Sequence, residues 1–453
     1  MNYKVVAKGA ATLFVKRFAG PFWFRRKWLA KTQWLSLSEL QEIQLRLLKK
    51  LVRHCYNSVP FYRRLMDERA IKAESIKSLE DIKQFPILTK QDVLKAGDSI
   101  ISTKYPKWIL HKARTGGSTG TPMTVYRNLF SIGNEHAFVR RQWDWARIGL
   151  WDTCAYLMSR VVARADQEKG PLYTYDPIMN ELILSTHHLS IDTTKEYAHI
   201  MKKYQVKALI GYPSAIGFLA KSCLDSSIRL NLKAVLTTSE LLTKSMRKAI
   251  EKAFGCKVFD FYGSAERVCY IHTCECGNYH IIPEYGLTEL IPIDESDRNR
   301  CKVVSTGFWN MAMPLIRYDM GDVVVRSNTA CSCDRHFQVV ESINGREGDV
   351  IRTSSGKHMG VTLIIQILYV IGGIEHIGES QVIQDAIDHL TIEYVPTREF
   401  EDSELQRIKG VITKYLPTEL KVDLRQVKAV KRTLSGKIKP VVSCITPSES
   451  SND

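Results

Sequence analysis

No stretch of this sequence approaches the roughly 18 uninterrupted apolar residues that a membrane-spanning helix requires, which excludes a spanning segment. Internal repeats and low-complexity runs are also absent, so a solenoid or a long disordered tether is excluded as the main body; only residues 447–453 read as a disordered tail. Residues 1–34 mix Phe22, Trp23 and Phe24 with lysine and arginine, yet they lack an apolar core leading to small cleavage-site residues, so no secretory signal is expected. This stretch reads as an irregular arm laid on the main domain, with peripheral contact to an anionic membrane surface as the alternative. The net charge of +16 comes without a helix-turn-helix, RNA-recognition or finger pattern, so a phosphate-bearing cofactor is the expected polyanion and no nucleic-acid partner is expected. The eleven cysteines include no Cys-x-x-Cys spacing. Without a secretory signal, they imply a reducing, cytoplasmic setting in which clustered thiols hold metal more often than they form disulfides.

What is present is the patterning of a globular protein. At 453 residues, with 44% hydrophobic and 25% charged residues, the chain exceeds the size of one core and implies more than one domain. Leu40, Ile43, Leu47, Leu48, Leu51 and Cys55 recur at helical spacing, with Ser38 and Gln41 as the expected capping box. Pro86-Ile87-Leu88 followed by Thr89 reads as a turn into a further helix. In the middle of the chain short β-rich runs alternate with helical ones: 207–212, a helix from Ser214, 232–238, a helix from Thr243, then 257–261. That rhythm predicts an α/β fold with a parallel-rich sheet, whose ligands sit beyond the C-terminal strand ends, where Tyr212-Pro213-Ser214 and Tyr262-Gly263-Ser264 fall. After Gly345 the pattern changes to strands at 382–384, 390–395 and 420–430 with a helix over 403–415. The expected division is a large domain over 1–344 and a small α+β domain over 345–453.

The segment Arg114-Thr115-Gly116-Gly117-Ser118-Thr119-Gly120-Thr121-Pro122 interleaves small residues with hydroxyls, so backbone N–H groups and side chains can both approach an anion. It is built like a phosphate cradle, although no Gly-Lys-Ser/Thr closes it and it is not a Walker A loop. A flexible turn would account for the glycines but not for the hydroxyls between them.

This loop resembles the phosphate loop of the acyl-adenylate-forming superfamily, and further motifs follow in that superfamily's order. Thr238-Ser239-Glu240 resembles the strand end lining the adenine pocket. Tyr262-Gly263-Ser264-Ala265-Glu266 resembles the aromatic-Gly-x-x-Glu motif, which implies that Tyr262 stacks on adenine and Glu266 ligates Mg²⁺. The last aspartate of Arg317-Tyr318-Asp319-Met320-Gly321-Asp322 inherits the ribose-binding role, and Gly345-Arg346 resembles the start of the interdomain hinge, where the arginine also reaches ribose. Leu434-Ser435-Gly436-Lys437 resembles the C-terminal motif whose lysine contacts the carboxylate and α-phosphate. Within the superfamily the chain most resembles the phenylacetate–CoA ligase branch and its relatives in capsule and lipopolysaccharide synthesis. The resemblance implies a large adenylate-forming domain with a small mobile lid, and Lys437, Glu266 and Thr115 as catalytic residues. It implies ATP-dependent activation of a small-molecule carboxylic acid with release of pyrophosphate, then transfer to a thiol, expected to be CoA. Transfer to a carrier protein, or to an amine or hydroxyl of a polysaccharide precursor, is the alternative. Two departures bear on the thiol step: Gly348 stands where the hinge residue is usually aspartate or lysine, and residues 353–360 do not reproduce the usual glycine segment.

Cys274-Glu275-Cys276 with His280, and Cys331-Ser332-Cys333 further on, supply candidate ligands for one closed tetrahedral Zn²⁺ site, four of these five residues sufficing. Relatives in the resembling branch carry cysteines in similar places. Buried free thiols are the alternative. The adjacent His187 and His188 are assigned no role. The sequence leaves the acid and the oligomeric state open, a homodimer being compatible with it.

Overall fold

A computed structural model of the chain describes residues 13–14, 20–114, 123–158, 162, 170–186, 188–295, 297–346, 350–354, 358–360, 377–396, 401–416, 419–432, 438–439 and 441–445. The chain resolves into two compact units, each made of two stretches: residues 1–145 with 261–343, and residues 146–260 with 344–453.

In the first unit the helix Leu37–Ser58 begins at Ser36, whose side chain accepts from the Glu39 N–H while Glu39 reaches back to the Ser36 N–H. The capping box thus lies two residues before the expected one. Leu40, Ile43, Leu48, Leu51 and Cys55 are buried as their spacing predicts. Each fully buried apolar side chain contributes about 1.5–3 kcal/mol against about 1 kcal/mol for a cap, so the apolar stripe governs this helix and the cap only sets its start. The expected irregular arm is in part a helix, Gly20–Thr32, with Phe22 and Leu29 buried. Its Arg25 lies over the Trp28 and Trp309 rings and donates to the Asn134 side chain of the helix Leu129–Trp145. The arm is therefore held by cation–π and hydrogen-bond contacts. The strands of this unit run in the order Gly286–Pro292, Arg300–Gly307, Tyr318–Arg326, Val339–Arg346, Tyr279–Ile281, Tyr270–Thr273 and Lys257–Gly263; the fourth and the last cross the division between units.

In the second unit the strands Cys154–Leu157, Ala208–Gly211 and Ala234–Thr238 pair in parallel. Between the last two runs the helix Pro213–Asp225, and after them the helix Lys244–Phe254, capped by Thr243. Gly211 is required by close approach: a Cβ there would stand 2.2 Å from the Leu157 carbonyl oxygen. The same unit holds a four-stranded sheet in the order Lys421–Gln426, His389–Pro396, Ile377–Ala386, Val441–Ser443, with the helix Asp402–Tyr415. The expected long strand over 420–430 is shorter, ending at Gln426. No helix among the described residues is long and apolar enough to cross a membrane.

Candidate functional site

In the first unit the strand Lys257–Gly263 delivers Tyr262, and the strand Tyr318–Arg326 delivers Asp322. The Tyr262 hydroxyl donates to Asp322 Oδ2 at 2.7 Å, across 60 residues of sequence. Burial, followed by the Asp322 charge, pushes the Tyr262 phenol well above its usual pKa, so it stays protonated and donating. Two motifs that are separate in sequence are thereby joined. Glu266 follows three residues after Gly263, and one of its oxygens accepts from the Tyr318 hydroxyl at 3.3 Å. The remaining carboxylate lone pairs suit a hard cation that takes a carboxylate together with substrate phosphates, as Mg²⁺ does. Arg317, the first residue of its motif, braces the fold: its guanidinium forks onto both Glu289 oxygens, at 2.9 and 2.8 Å, and donates to the Phe85 carbonyl.

In the second unit Ser239 sits in a left-handed conformation, φ 70°, at the end of the strand Ala234–Thr238, and Glu240 follows it. Both Glu240 oxygens are engaged: one accepts the Ser214 N–H at 3.1 Å and the other the Ile438 N–H at 2.9 Å. The expectation that Glu240 lines the adenine pocket therefore concerns a carboxylate already occupied by backbone donors. Thr115, Gly116, Gly117, Ser118, Thr119, Gly120, Thr121, Lys437, Gly348 and His187 lie outside the described residues, as does the side chain of Arg346, whose backbone ends the strand Val339–Arg346.

The sulfur and imidazole residues separate clearly. Cys274, His280, Cys331 and Cys333 bring one donor atom each within 4.8 Å of one another. Cys276 is exposed and outside that group. Of the five candidates the structure thus gathers four. The Cys274 and Cys331 sulfurs are 3.6 Å apart and Cys333 Sγ lies 3.3 Å from His280 Nε2. A disulfide would need about 2.05 Å. Ligands of a tetrahedral zinc at about 2.3 Å stand roughly 3.5–3.8 Å apart, so the spacing suits a closed S₃N site. The scaffold is local: the hairpin of Tyr270–Thr273 and Tyr279–Ile281 turns at Gly277, φ 85°, and Asn278 donates to the Cys331 sulfur. Burial pushes the Cys274 thiol above its ordinary pKa and lowers that of His280 to about 4, keeping the imidazole neutral and available as a ligand.

Sequence reasoning missed three partners: the Tyr318 hydroxyl on Glu266, the Asn278 amide on Cys331, and the pair Glu379 and Arg432. The last left no clear trace, because Glu379 lies in a strand that also carries Ser380, Gln381, Gln384 and Asp385.

The CapK C-terminal domain family matches residues 351–444. Over 388 residues the chain is 27% identical to protein CapK of Staphylococcus aureus, covering 85% of this chain and 83% of that one. It is 24% identical over 330 residues to a phenylacetate–coenzyme A ligase of Thermus thermophilus, covering 70% and 72%. Among solved structures, 2-hydroxyisobutyryl-CoA ligase with a bound acyl-adenylate superimposes with TM-score 0.70 at 18% identity over 91% of each chain. An open form of that ligase, holding the adenylate and CoA, superimposes with TM-score 0.56 at 19% identity over 91% and 93%. The chain is a homologue of CapK and of the phenylacetate–CoA ligases, and its fold is that of the adenylate-forming acyl-CoA ligases.

Proposed function

We propose that this chain is an AMP-forming acid–thiol ligase that activates a small carboxylic acid with ATP and passes the acyl group to CoA. The observation that carries the reading is the Tyr262–Asp322 hydrogen bond, which joins the proposed adenine and ribose residues. Relatedness to the phenylacetate–CoA ligases supports the same chemistry. A carboxylate oxygen attacks the α-phosphorus of ATP; a P–O bond forms, the Pα–O–Pβ bond breaks and pyrophosphate leaves. A thiolate sulfur then attacks the acyl carbon and AMP departs. Anion meets anion in the first step, so the protein's task is positional and electrostatic. Donors of the 115–121 loop and the Lys437 ammonium serve it. Glu266 would hold Mg²⁺, which would supply further charge neutralisation. Zn²⁺ at Cys274, His280, Cys331 and Cys333 is structural, since four protein ligands leave no open position. Residues 345–453 form the lid, and the CapK C-terminal match falls inside that span. The similarity to CapK keeps transfer to a carrier or to a polysaccharide precursor as the second reading.

The test is acid-dependent pyrophosphate exchange across aromatic, aliphatic, hydroxy and amino acids, followed by CoA-stimulated AMP release with the best acid. Lys437→Ala is expected to lower exchange by roughly two to three orders of magnitude, the scale of one lost charge-stabilising donor, while ATP binding persists. Exchange within a few fold of wild type removes that role.

A further inference from the structure

The second unit contains a set of polar contacts that the proposed chemistry does not use, and all of them bear on one short segment. Arg432 and Ile438, which flank residues 433–437, form an antiparallel bridge. Gln381, buried on the strand Ile377–Ala386, donates to the carbonyls of Lys431 and Lys439 at 3.3 and 2.8 Å. Glu379, two residues earlier and so on the same strand face, pairs with Arg432, and both side chains are more than nine-tenths buried. The Ile438 side chain packs with Phe218 of the helix Pro213–Asp225 and with Val395 and Val430. Glu240 completes the set. Its Oε2 accepts from Ser214, in the first turn of that helix, where an anion is favoured by the free N–H groups and the dipole; its Oε1 accepts from Ile438.

We propose that Glu240 is a positioning residue: its carboxylate ties the Ile438 N–H to the N-terminus of the helix Pro213–Asp225 and so fixes the base of the segment that carries Lys437. The inference rests on the adenylating role proposed for that lysine. The geometry suits an acidic side chain, because each of its two oxygens, without donors of its own, accepts one of the two converging backbone N–H groups. Burial acts against the charge, raising the Glu240 carboxyl above its usual range and Glu379 to about 7, and the N–H donors and Arg432 oppose that effect. A contact to adenine would have to use the lone pairs that the two N–H groups leave over.

The experiment uses the full chain with Glu240→Gln, which keeps size and one acceptor but turns an amide NH₂ toward the other N–H. Three quantities are read: amide hydrogen exchange at Ile438, from overlapping peptides that begin several residues before it, calorimetric affinity for ATP, and kcat and KM for ATP in pyrophosphate exchange. The expected result is faster exchange at Ile438 and a fall in kcat of about tenfold to a hundredfold, from loss of a charged hydrogen bond, with ATP affinity and KM within about threefold of wild type. Glu240→Asp, which keeps both acceptor oxygens, is expected to recover part of kcat. Unchanged exchange at Ile438 overturns the proposal. So does faster exchange with undiminished kcat, or a weakened ATP affinity with kcat intact, which is the signature of an adenine contact. If the wild type exchanges pyrophosphate with no acid, the ligase reading itself fails, while hydrogen exchange at Ile438 still decides whether Glu240 holds the segment.

Discussion

The thiol–imidazole group of the first unit and the carboxylate group of the second solve one problem with different atoms. Each fastens segments distant in sequence: Cys274 meets Cys331 across 57 residues, and Glu240 meets Ile438 across 198. In the second, acceptors face backbone N–H groups and a guanidinium, donors that are always present, so the fastening is complete within the chain. In the first, sulfurs at 3.6 Å and a neutral imidazole face one another, and such groups satisfy each other poorly. The difference teaches that the donor and acceptor inventory of a buried cluster tells whether it closes by itself or calls for a cation.

The largest effect should come from breaking the first group. Stripping metal, or Cys333→Ser, is expected to lower stability by several kcal/mol in thermal unfolding, and elemental analysis, expected to read about one zinc per chain in the wild type, should read almost none in either case. Cys276→Ser, outside the cluster, should change neither. Metal-free protein with all four thiols titratable under native conditions would end the contrast. Next comes the ion pair of the second group. Arg432→Ala leaves Glu379 buried without its counter-ion and should cost roughly 3–5 kcal/mol in chemical denaturation, and an added Glu379→Leu should recover most of that loss. A cost below about 1 kcal/mol would mean that the pair is solvated, as exposed pairs are.

Smaller again is Tyr262→Phe, which removes one hydrogen bond to Asp322 while keeping the ring. KM for ATP should rise by about tenfold, the value of one hydrogen bond to a charged group, with kcat little changed. An unaltered KM would show that Asp322 needs no orientation. The smallest effect is at His389, whose ring nitrogens lie 2.6 and 3.0 Å from Asp385 and Asp423. Those carboxylates raise its pKa above the ordinary 6.5. Its contribution is therefore full below about pH 6.5, where the unfolded chain is protonated too, and is lost as pH rises through the raised folded value. His389→Gln should flatten that decline, read as Tm against pH, and an equal slope in the variant would sever the link.

Much was legible before any coordinates. The stripe from Leu40 to Cys55 and the alternation from 207 to 261 gave the helices and parallel strands, because the periods of 3.6 and 2 are set by the backbone. Boundaries were less legible. Ser36 and Ser38 are both competent caps, and which one starts the helix depends on where Glu39 can reach back. The helix Gly20–Thr32 escaped notice because it is held through Trp309 and Asn134, contacts that no local pattern encodes.

The sequence by itself determined the α/β class, the order of the adenylate motifs, and five candidate metal ligands, since each is a property of local spacing and residue chemistry. Tertiary structure alone decided that Tyr262 meets Asp322, that Cys276 stands apart from the other four ligands, and that Glu240 is occupied by Ser214 and Ile438. The hydrogen bonds among these join atoms 26, 60 and 198 residues apart along the chain. No local period fixes such distances; they follow from the packing of strands and helices onto one another.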